Sequence, residues 1–296
     1  MKKRTLGQSE FQISEISLGC MSLSTELAEA KYVIAAALDA GINYYDTADL
    51  YDRGVNEQVV GAALKEHRQN IILATKVGNR WEHGKEGWHW DTSAAYIQQA
   101  VRNSLQRLQT DYIDLYQLHG GTIEDNWEEI IDTFEGLKKE GLIREYGISS
   151  IRPNVFVPFL ENSNAISNMM QFNIFDERAN EYFASIQASG ASVVTRGSLA
   201  KGLLTNEWRK RLKDFMNYNE AEAKELLENI EQQFEDVHAA ALAFNLQYDA
   251  VASTVIGART VEQLIQNLKA YDKSHSIDNI ALISNWTKQD RYTEHR

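Results

Sequence analysis

IILATKVGNRWEHGKEGWHWDTSAAYIQQAVRNSLQRLQTDYIDLYQLH, residues 71–119, contains the repeating unit on which the fold turns. IILATKV (71–77) is a short apolar, β-branched run that reads as a strand. TSAAYIQQAVRNSLQRLQ (92–109) has helical spacing, and Asp91, Thr92 or Ser93 can cap it. YIDLYQLH (112–119) reads as a strand again. Two strands joined through a helix are expected to lie parallel, because parallel neighbours need a long crossover. The alternation extends both ways. Strands are predicted at EISLG (15–19), INYYDTA (42–48), IREYGIS (143–149), SNMMQFN (167–173), ASVVTR (191–196) and ASTVIG (252–257), eight in all. ELAEAKYVIAAALDAG (26–41) has helical spacing and ends on Gly41. Eight such α/β units close into a (β/α)8 TIM barrel. A doubly wound open sheet is the alternative, and the absence of GxGxxG after the first strand weakens it.

Three segments fall outside the repeat. RTLGQSEFQIS (4–14) reads as a β-hairpin turning near Gly7–Gln8, placed to plug the barrel bottom. GNRWEHGKEGWHWDT (78–92) reads as an irregular loop carrying Trp81, Trp88 and Trp90. Residues 203–235 form a long polar insertion whose second half looks helical, and the tail after about 276 reads as one more amphipathic helix. Long βα loops belong at the C-terminal face, where barrel active sites lie. With only Pro153 and Pro158 and no Gly/Ser-rich linker, residues 1–296 read as a single barrel domain.

Composition bounds the function. The formal net charge of −12 argues against a nucleic-acid partner, which calls for a basic face. Cys20 is the only cysteine, so an intrachain disulfide is impossible, as suits a reducing compartment. MKKRTLGQSEF has no apolar run behind its basic residues and does not read as a signal peptide. No apolar stretch approaches the roughly 18–20 residues of a membrane helix. The expectation is a cytoplasmic protein without membrane or nucleic-acid partners, a monomer or weak homo-oligomer, since neither a heptad seam nor an evident apolar patch appears.

Polar residues stand where strands run out into loops. Asp46 ends INYYD, Lys76 ends IILATK, His119 ends YIDLYQLH, and Tyr51 lies five residues beyond Asp46. In a barrel these positions converge on one pocket. A tyrosine has a pKa near 10 and needs a neighbouring cation to favour its phenolate. Lys76 can supply it, Asp46 can hold the charge of a buried lysine, and His119 can orient a substrate oxygen or relay a proton. Such a set suits protonation of a carbonyl oxygen as hydride reaches its carbon, and the hydride implies a nicotinamide or flavin cofactor. Taken singly, each residue has an ordinary reading: a helix cap, a packing tyrosine, a surface lysine, a core histidine. The set gives them weight. The three tryptophans are either surface packing or the walls of a substrate pocket.

DTADLYDRGVNEQVVGAAL (46–64) resembles the aldo-keto reductase pattern DTAxxYGxxExxxG, with Asp46, Thr47, Ala48, Tyr51, Glu57 and Gly61 in its places. ATK (74–76), TDYIDLYQLHG (110–120), GLIREYGIS (141–149) and VIGARTVEQLIQN (255–267) resemble further family segments in the same order. The resemblance implies NADPH-dependent reduction of an aldehyde or ketone. Tyr51 would be the general acid, Lys76 would tune it, Asp46 would hold Lys76, and His119 would orient the carbonyl. It implies nicotinamide contacts at Gln171, Ser149 and Ser150, with Ser150 replacing the usual asparagine. TRGSLAKGLL (195–204) replaces the aromatic or Ser/Thr-Pro-Leu turn that commonly follows the seventh strand. Gly202 fits the family pattern, whereas Arg196 and Gly197 depart from it. Arg196, Gly197, Ser198, Leu199, Lys201 and Gly202 are the expected pyrophosphate side, Lys201 being equally readable as a solvated cation. Gly19, Met21 and Asp46 are further implied contacts. Gly257, Arg259, Gln263 and Asn267 are the implied adenine and 2′-phosphate side, since a helix N-terminus with a guanidinium suits a phosphate.

Two other readings stay open. One is an NADPH-binding sensor or accessory subunit on the same fold, against which the complete tetrad argues. The other is a metal hydrolase, against which the absence of an HxH pair or any cluster at ligand spacing argues; no metal site is expected. The identity of the carbonyl substrate is not encoded in any motif.

Overall fold

The computed structural model describes residues 1–82 and 84–296; His83 lies outside the described residues. The chain opens with β1 (Lys3–Thr5) and β2 (Gln12–Ser14), then β3 (Ile16–Gly19), α1 (Leu27–Asp39), β4 (Tyr44–Asp46), α2 (Val55–Leu64) and β5 (Ile72–Val77). The short β6 (Asn79–Arg80) and β7 (His89–Trp90) follow, then α3 (Ala94–Leu108), β8 (Ile113–His119), α4 (Trp127–Lys139), β9 (Ile143–Ser149) and α5 (Pro153–Glu161). The last part contains β10 (Ser167–Gln171), α6 (Phe183–Ala188), β11 (Ser192–Arg196), α7 (Glu220–Phe234), α8 (Val237–Leu246), β12 (Val251–Ile256) and α9 (Val261–Ser274). Strands β3, β4, β5, β8, β9, β10, β11 and β12 are parallel and close into a barrel in chain order, with β12 pairing back to β3. The fold is a (β/α)8 TIM barrel.

Local chemistry accounts for the elements. The Ser93 side chain caps α3 by accepting from the Tyr96 amide. Gly41 takes φ +81° immediately after α1, the left-handed stop that glycine adopts without a Cβ penalty. Period-two alternation then sorts the strands. Tyr44, Ala74, Leu115, Met169 and Val194 form one buried cluster with Leu6, Phe11 and Ile13 of the hairpin. The β1–β2 hairpin therefore plugs the barrel bottom, as its sequence predicts. Two residues further along the same strands come Asp46, Lys76, Gln117, Gln171 and Arg196. Side chains two apart share a sheet face, so this polar layer stands directly above the apolar one.

Two expectations need correction. Residues 78–92 are not wholly irregular: Asn79 and Arg80 pair antiparallel with Trp90 and His89 in a short ribbon. The tail beyond 276 is not an α-helix. Only Ile280–Asn285 is helical, in 3-10 form. Its apolar residues Ile277, Ile280, Ile283 and Trp286 recur every third position, which matches the three-residue turn of that helix. The insertion behaves as read, with α7 in its second half, started by a capping box between Asn219 and Glu222. Among the described residues no helix is long and apolar enough to cross a membrane.

Candidate active site

Register brings the strand ends level. Gly19 pairs with Asp46, Lys76 with Gln117, His119 with Ser149, and Gln171 with Arg196. The Lys76 side chain is 1% exposed, and its Nζ donates to Asp46 Oδ1 at 2.5 Å, the Thr47 carbonyl at 2.7 Å and Tyr51 Oη at 3.3 Å. An ammonium has three donors, and all three are used. Burial pulls the Lys76 pKa down, but the Asp46 carboxylate and the Tyr51 hydroxyl outweigh it, and the net shift is upward. A charged lysine is thus held against the phenol oxygen. Gln117 Nε2 donates to the second Asp46 oxygen at 3.3 Å. The sequence reading missed Gln117 and Thr47, yet Gln117 lies two residues before His119 on β8 and so faces the same interior.

His119 stands edge-on to Tyr51 with ring centroids 6.2 Å apart. Burial, then the charges of Lys76 and Arg196, push its pKa down to about 3, so the imidazole is neutral at physiological pH. Its Nδ1 is buried without a hydrogen-bond partner. An unpartnered buried polar atom is costly and calls for a ligand. Lys76 thus touches both Asp46 and Tyr51, and Tyr51 stands against His119, which gathers the four residues at one end of the barrel.

The motif spacing also needs a correction. Tyr51 and Glu57 are six residues apart, two more than DTAxxYGxxExxxG allows. The surplus is taken up at Asp52 (φ 48°) and Arg53 (φ 53°), followed by Gly54 (φ 84°), three consecutive left-handed residues. Non-glycine residues adopt this region at a cost, and it clusters at functional sites. Arg53 Nη2 donates to the Lys85 carbonyl at 3.1 Å, tying the tyrosine loop to the β6–β7 segment. Glu57 keeps its place as an anchor: fully buried, it accepts from Thr75 at 2.6 Å and Arg107 at 2.6 Å. At Gly61 a Cβ would lie 2.4 Å from the Leu108 carbonyl oxygen, so only glycine lets α2 approach the end of α3 this closely.

Of the tryptophans, Trp81 is half-buried and donates from Nε1 to the Asp49 carbonyl at 3.1 Å, beside the tyrosine loop. Trp88 and Trp90 are exposed and pack together at 5.6 Å. The Trp90 indole nitrogen sits over Gly120, next to His119, where a Cβ would lie 3.1 Å away. The loop's aromatics thus flank the tetrad.

The remaining predicted residues form two groups. At the β9–β11 rim, Gln171 Nε2 donates to Asp176 Oδ2 at 2.8 Å, and Arg196 Nη1 donates to Gln171 Oε1 at 3.5 Å. Gly197, at φ +68°, leaves a Cβ position 3.5 Å from Gln171 Cγ. Ser150 N donates to Asn168 Oδ1, while Asn168 Nδ2 is buried and unpartnered. Ser149, Ser150 and Ser198 are buried, Leu199 is half-buried, and Lys201 and Gly202 lie in the short turn Ala200–Gly202. At the β12–β3 rim, a Cβ on Gly257 would fall 2.3 Å from Ser22 Oγ and 4.0 Å from the Gly19 carbonyl, so glycine lets the end of β12 pack this closely on the turn after β3. Met21, 63% exposed, lies in the turn after Gly19. Gln263 accepts from the Arg259 amide at 2.9 Å and Asn267 donates to the Gly257 carbonyl at 3.4 Å, gathering these residues at the start of α9. The exposed Arg259 side chain makes no ion pair among the described residues. The unpartnered His119 Nδ1 at the centre, the buried serines and Gln171 on one rim and, on the other, an Arg259 guanidinium without an ion pair among the described residues fit a nicotinamide dinucleotide. Asp176 was not foreseen. It lies outside the strand, in a tight turn that only the fold brings back to Gln171.

Comparison with known proteins agrees with this geometry. The uncharacterised oxidoreductase YqkF of Bacillus subtilis (strain 168) is 50% identical over 305 residues, covering 100% of both chains. The holo form of aldo-keto reductase AKR11C1 from Bacillus halodurans superposes with a TM-score of 0.93 at 49% identity, covering 100% of this chain and 99% of that one. The NADH-specific methylglyoxal reductase of Escherichia coli (strain K12) is 30% identical over 226 residues, 69% of each chain. The profile of the aldo/keto reductase family matches residues 15–287. A closed parallel barrel, a buried lysine at a tyrosine and near-complete matches to oxidoreductases have one account: this chain belongs to the aldo/keto reductase family.

Proposed function

We propose that the protein reduces an aldehyde or ketone to an alcohol with NADPH, and that Tyr51 is the general acid. The observation that carries this reading is the fully buried Lys76 ammonium, held by Asp46 and donating to Tyr51 Oη at 3.3 Å. A cation there stabilises the phenolate left when the proton departs, in a site with little water to screen it. When bound, the nicotinamide supplies hydride to the carbonyl carbon. Gln171, Ser149 and Ser150 would hold its carboxamide. Arg196 stands beside Gln171, residues Gly197 to Gly202 would line the path of the pyrophosphate, and Gly19, Met21 and Gly257 lie at the opposite rim. Arg259, Gln263 and Asn267 would take the adenine and 2′-phosphate end.

The substrate oxygen lies between Tyr51 and His119 in this reading. His119, neutral and with one ring nitrogen unpartnered, orients that oxygen rather than supplying the proton. Trp81, Trp88 and Trp90 wall the approach and favour apolar or aromatic carbonyl compounds. One relative is NADH-specific by name, so nucleotide choice is read from the free Arg259 guanidinium at the α9 N-terminus.

Two experiments test this. Tyr51→Phe is expected to lower turnover by about 10²–10⁴-fold, the contribution of a positioned acid, while leaving NADPH binding nearly intact. Full activity in that variant removes Tyr51 from the mechanism. Titration with NADPH and NADH, wild type against Arg259→Ala, tests the cofactor. A selective loss of NADPH affinity supports the assignment; equal loss of both nucleotides refutes it.

A further inference from the structure

Three cations lie close to the Asp46 and Asp176 carboxylates or to Gln171, and they differ in how they are paired. Lys76 is matched by Asp46, and Arg178 by Asp176, which it grips from Nε at 2.7 Å and from Nη2 at 2.9 Å. Arg196, half-buried at the end of β11, takes part in no ion pair among the described residues; its side-chain contact is Gln171 Oε1 at 3.5 Å. Because the Gln171 amide hydrogens point at Asp176, the Gln171 carbonyl oxygen faces the guanidinium. Arg196 thus places a positive charge that no carboxylate contacts, among the described residues, beside the residue assigned to the nicotinamide carboxamide. Its field reaches the centre, since Arg196 is among the groups that hold His119 low.

We infer that Arg196 makes the protein hold the reduced nucleotide more tightly than the oxidised one. The inference rests on the proposed nicotinamide-dependent activity and adds a residue that tunes it. In the reaction a hydride, carrying two electrons, leaves the reduced ring for the carbonyl carbon, and Tyr51 gives a proton to the oxygen. The alcohol forms and the ring is left with a positive charge. The two nucleotides share the same phosphates, riboses and adenine and differ in that charge. A fixed guanidinium nearby therefore raises the free energy of the oxidised form alone. The repulsion speeds the oxidised product nucleotide out and, by favouring the reduced form on the protein, raises the potential of the bound couple.

The test is the ratio of dissociation constants for NADP⁺ and NADPH, read by fluorescence titration without turnover. In the wild type NADPH should bind tighter. Arg196→Met and, as a second neutral variant, Arg196→Gln should narrow the ratio by on the order of tenfold, the scale of a like-charge interaction at a partly solvated site. A tenfold change corresponds to about 30 mV in a two-electron couple. Arg196→Lys, which keeps the charge, should keep most of the ratio. An equal loss of affinity for both nucleotides would assign Arg196 to a phosphate and overturn the inference. So would an unchanged ratio in the neutral variants, or an Arg196→Lys protein that behaves like them. If the wild type binds neither nucleotide, the reductase function itself falls and this inference with it; binding of both with no change in ratio defeats the inference alone.

Discussion

The two ends of the barrel are built on the same eight strands and solve opposite problems. At the bottom, Leu6 and Ile13 are fully buried and Phe11 nearly so, against Tyr44, Leu115, Met169 and Val194. One residue pair higher, Asp46, Lys76 and Gln117 are as deeply buried but polar, and His119 Nδ1 has no hydrogen-bond partner among the described residues. The lower layer gains from removing apolar area from water. The upper layer incurs desolvation, and its fully buried ions, Lys76 and Asp46, persist because they are matched to each other. The comparison teaches that burial alone does not distinguish scaffold from site here. What distinguishes them is whether a buried residue's partners are interchangeable atoms or one specific charge.

The largest effect should come from unpairing the upper layer. Lys76→Met leaves the Asp46 carboxyl buried without its cation, and breaking a buried pair costs about 3–5 kcal/mol. Urea unfolding should show that loss, and steady-state assays should show turnover reduced at least as much as in Tyr51→Phe. A Lys76→Met protein as stable as wild type would break the comparison, since the upper layer would then be indifferent to its pairing. A smaller effect is expected at the other end. Leu6→Ala should cost about 2–5 kcal/mol through the cavity it leaves, with kcat unchanged in the folded enzyme. If kcat also fell several-fold, the two ends would be mechanically coupled rather than separate.

The division was partly written in the sequence. Alternation marked every barrel strand, because parallel strands covered by helices concentrate β-branched and apolar residues in short runs. Asp46, Lys76 and His119 were legible because each is the last inward residue of such a run, where side chains of different strands must converge. Arg196 was legible as a departure from the family pattern, but its lack of a counter-charge was not, since that depends on where Asp176 turns. The two-residue surplus at Asp52–Arg53 was hidden by matching residue types without counting between them. The tail was misread because apolar spacing of three and of three to four look alike over a few turns. Asp49 escaped notice altogether. Its neighbours Glu57, Tyr96 and Tyr116 come from α2, α3 and β8, and no local pattern records their approach.

Asp49 offers the sharpest contrast within the upper layer itself. It lies three residues from Asp46 and is as deeply buried, but it has no cation in contact; Oδ1 is unpartnered and Oδ2 accepts a long 3.4 Å bond from Tyr96. Burial first, then the Glu57 carboxylate, push its pKa up to about 8, with Arg107 a weaker opposing charge. Unfolded, the same carboxyl titrates near 3.9. Between these values the folded protein holds a proton that the unfolded chain releases, so stability falls as pH rises from about 4 to about 8 and levels off above. His119 and His238, pushed down to about 3 and about 4, work in the other direction. Their unfolded forms take up protons first, so stability falls as pH drops below about 6.5. Asp49→Asn keeps the shape, remains neutral and leaves the histidines alone. The difference in stability between variant and wild type should therefore grow with pH by at most about 1.4 kcal/mol per unit between pH 5 and 8. Thermal melts of both proteins across that range measure it. Parallel curves would mean that Asp49 is ionised in the folded protein, and that the upper layer accommodates a second buried carboxylate without a cation of its own.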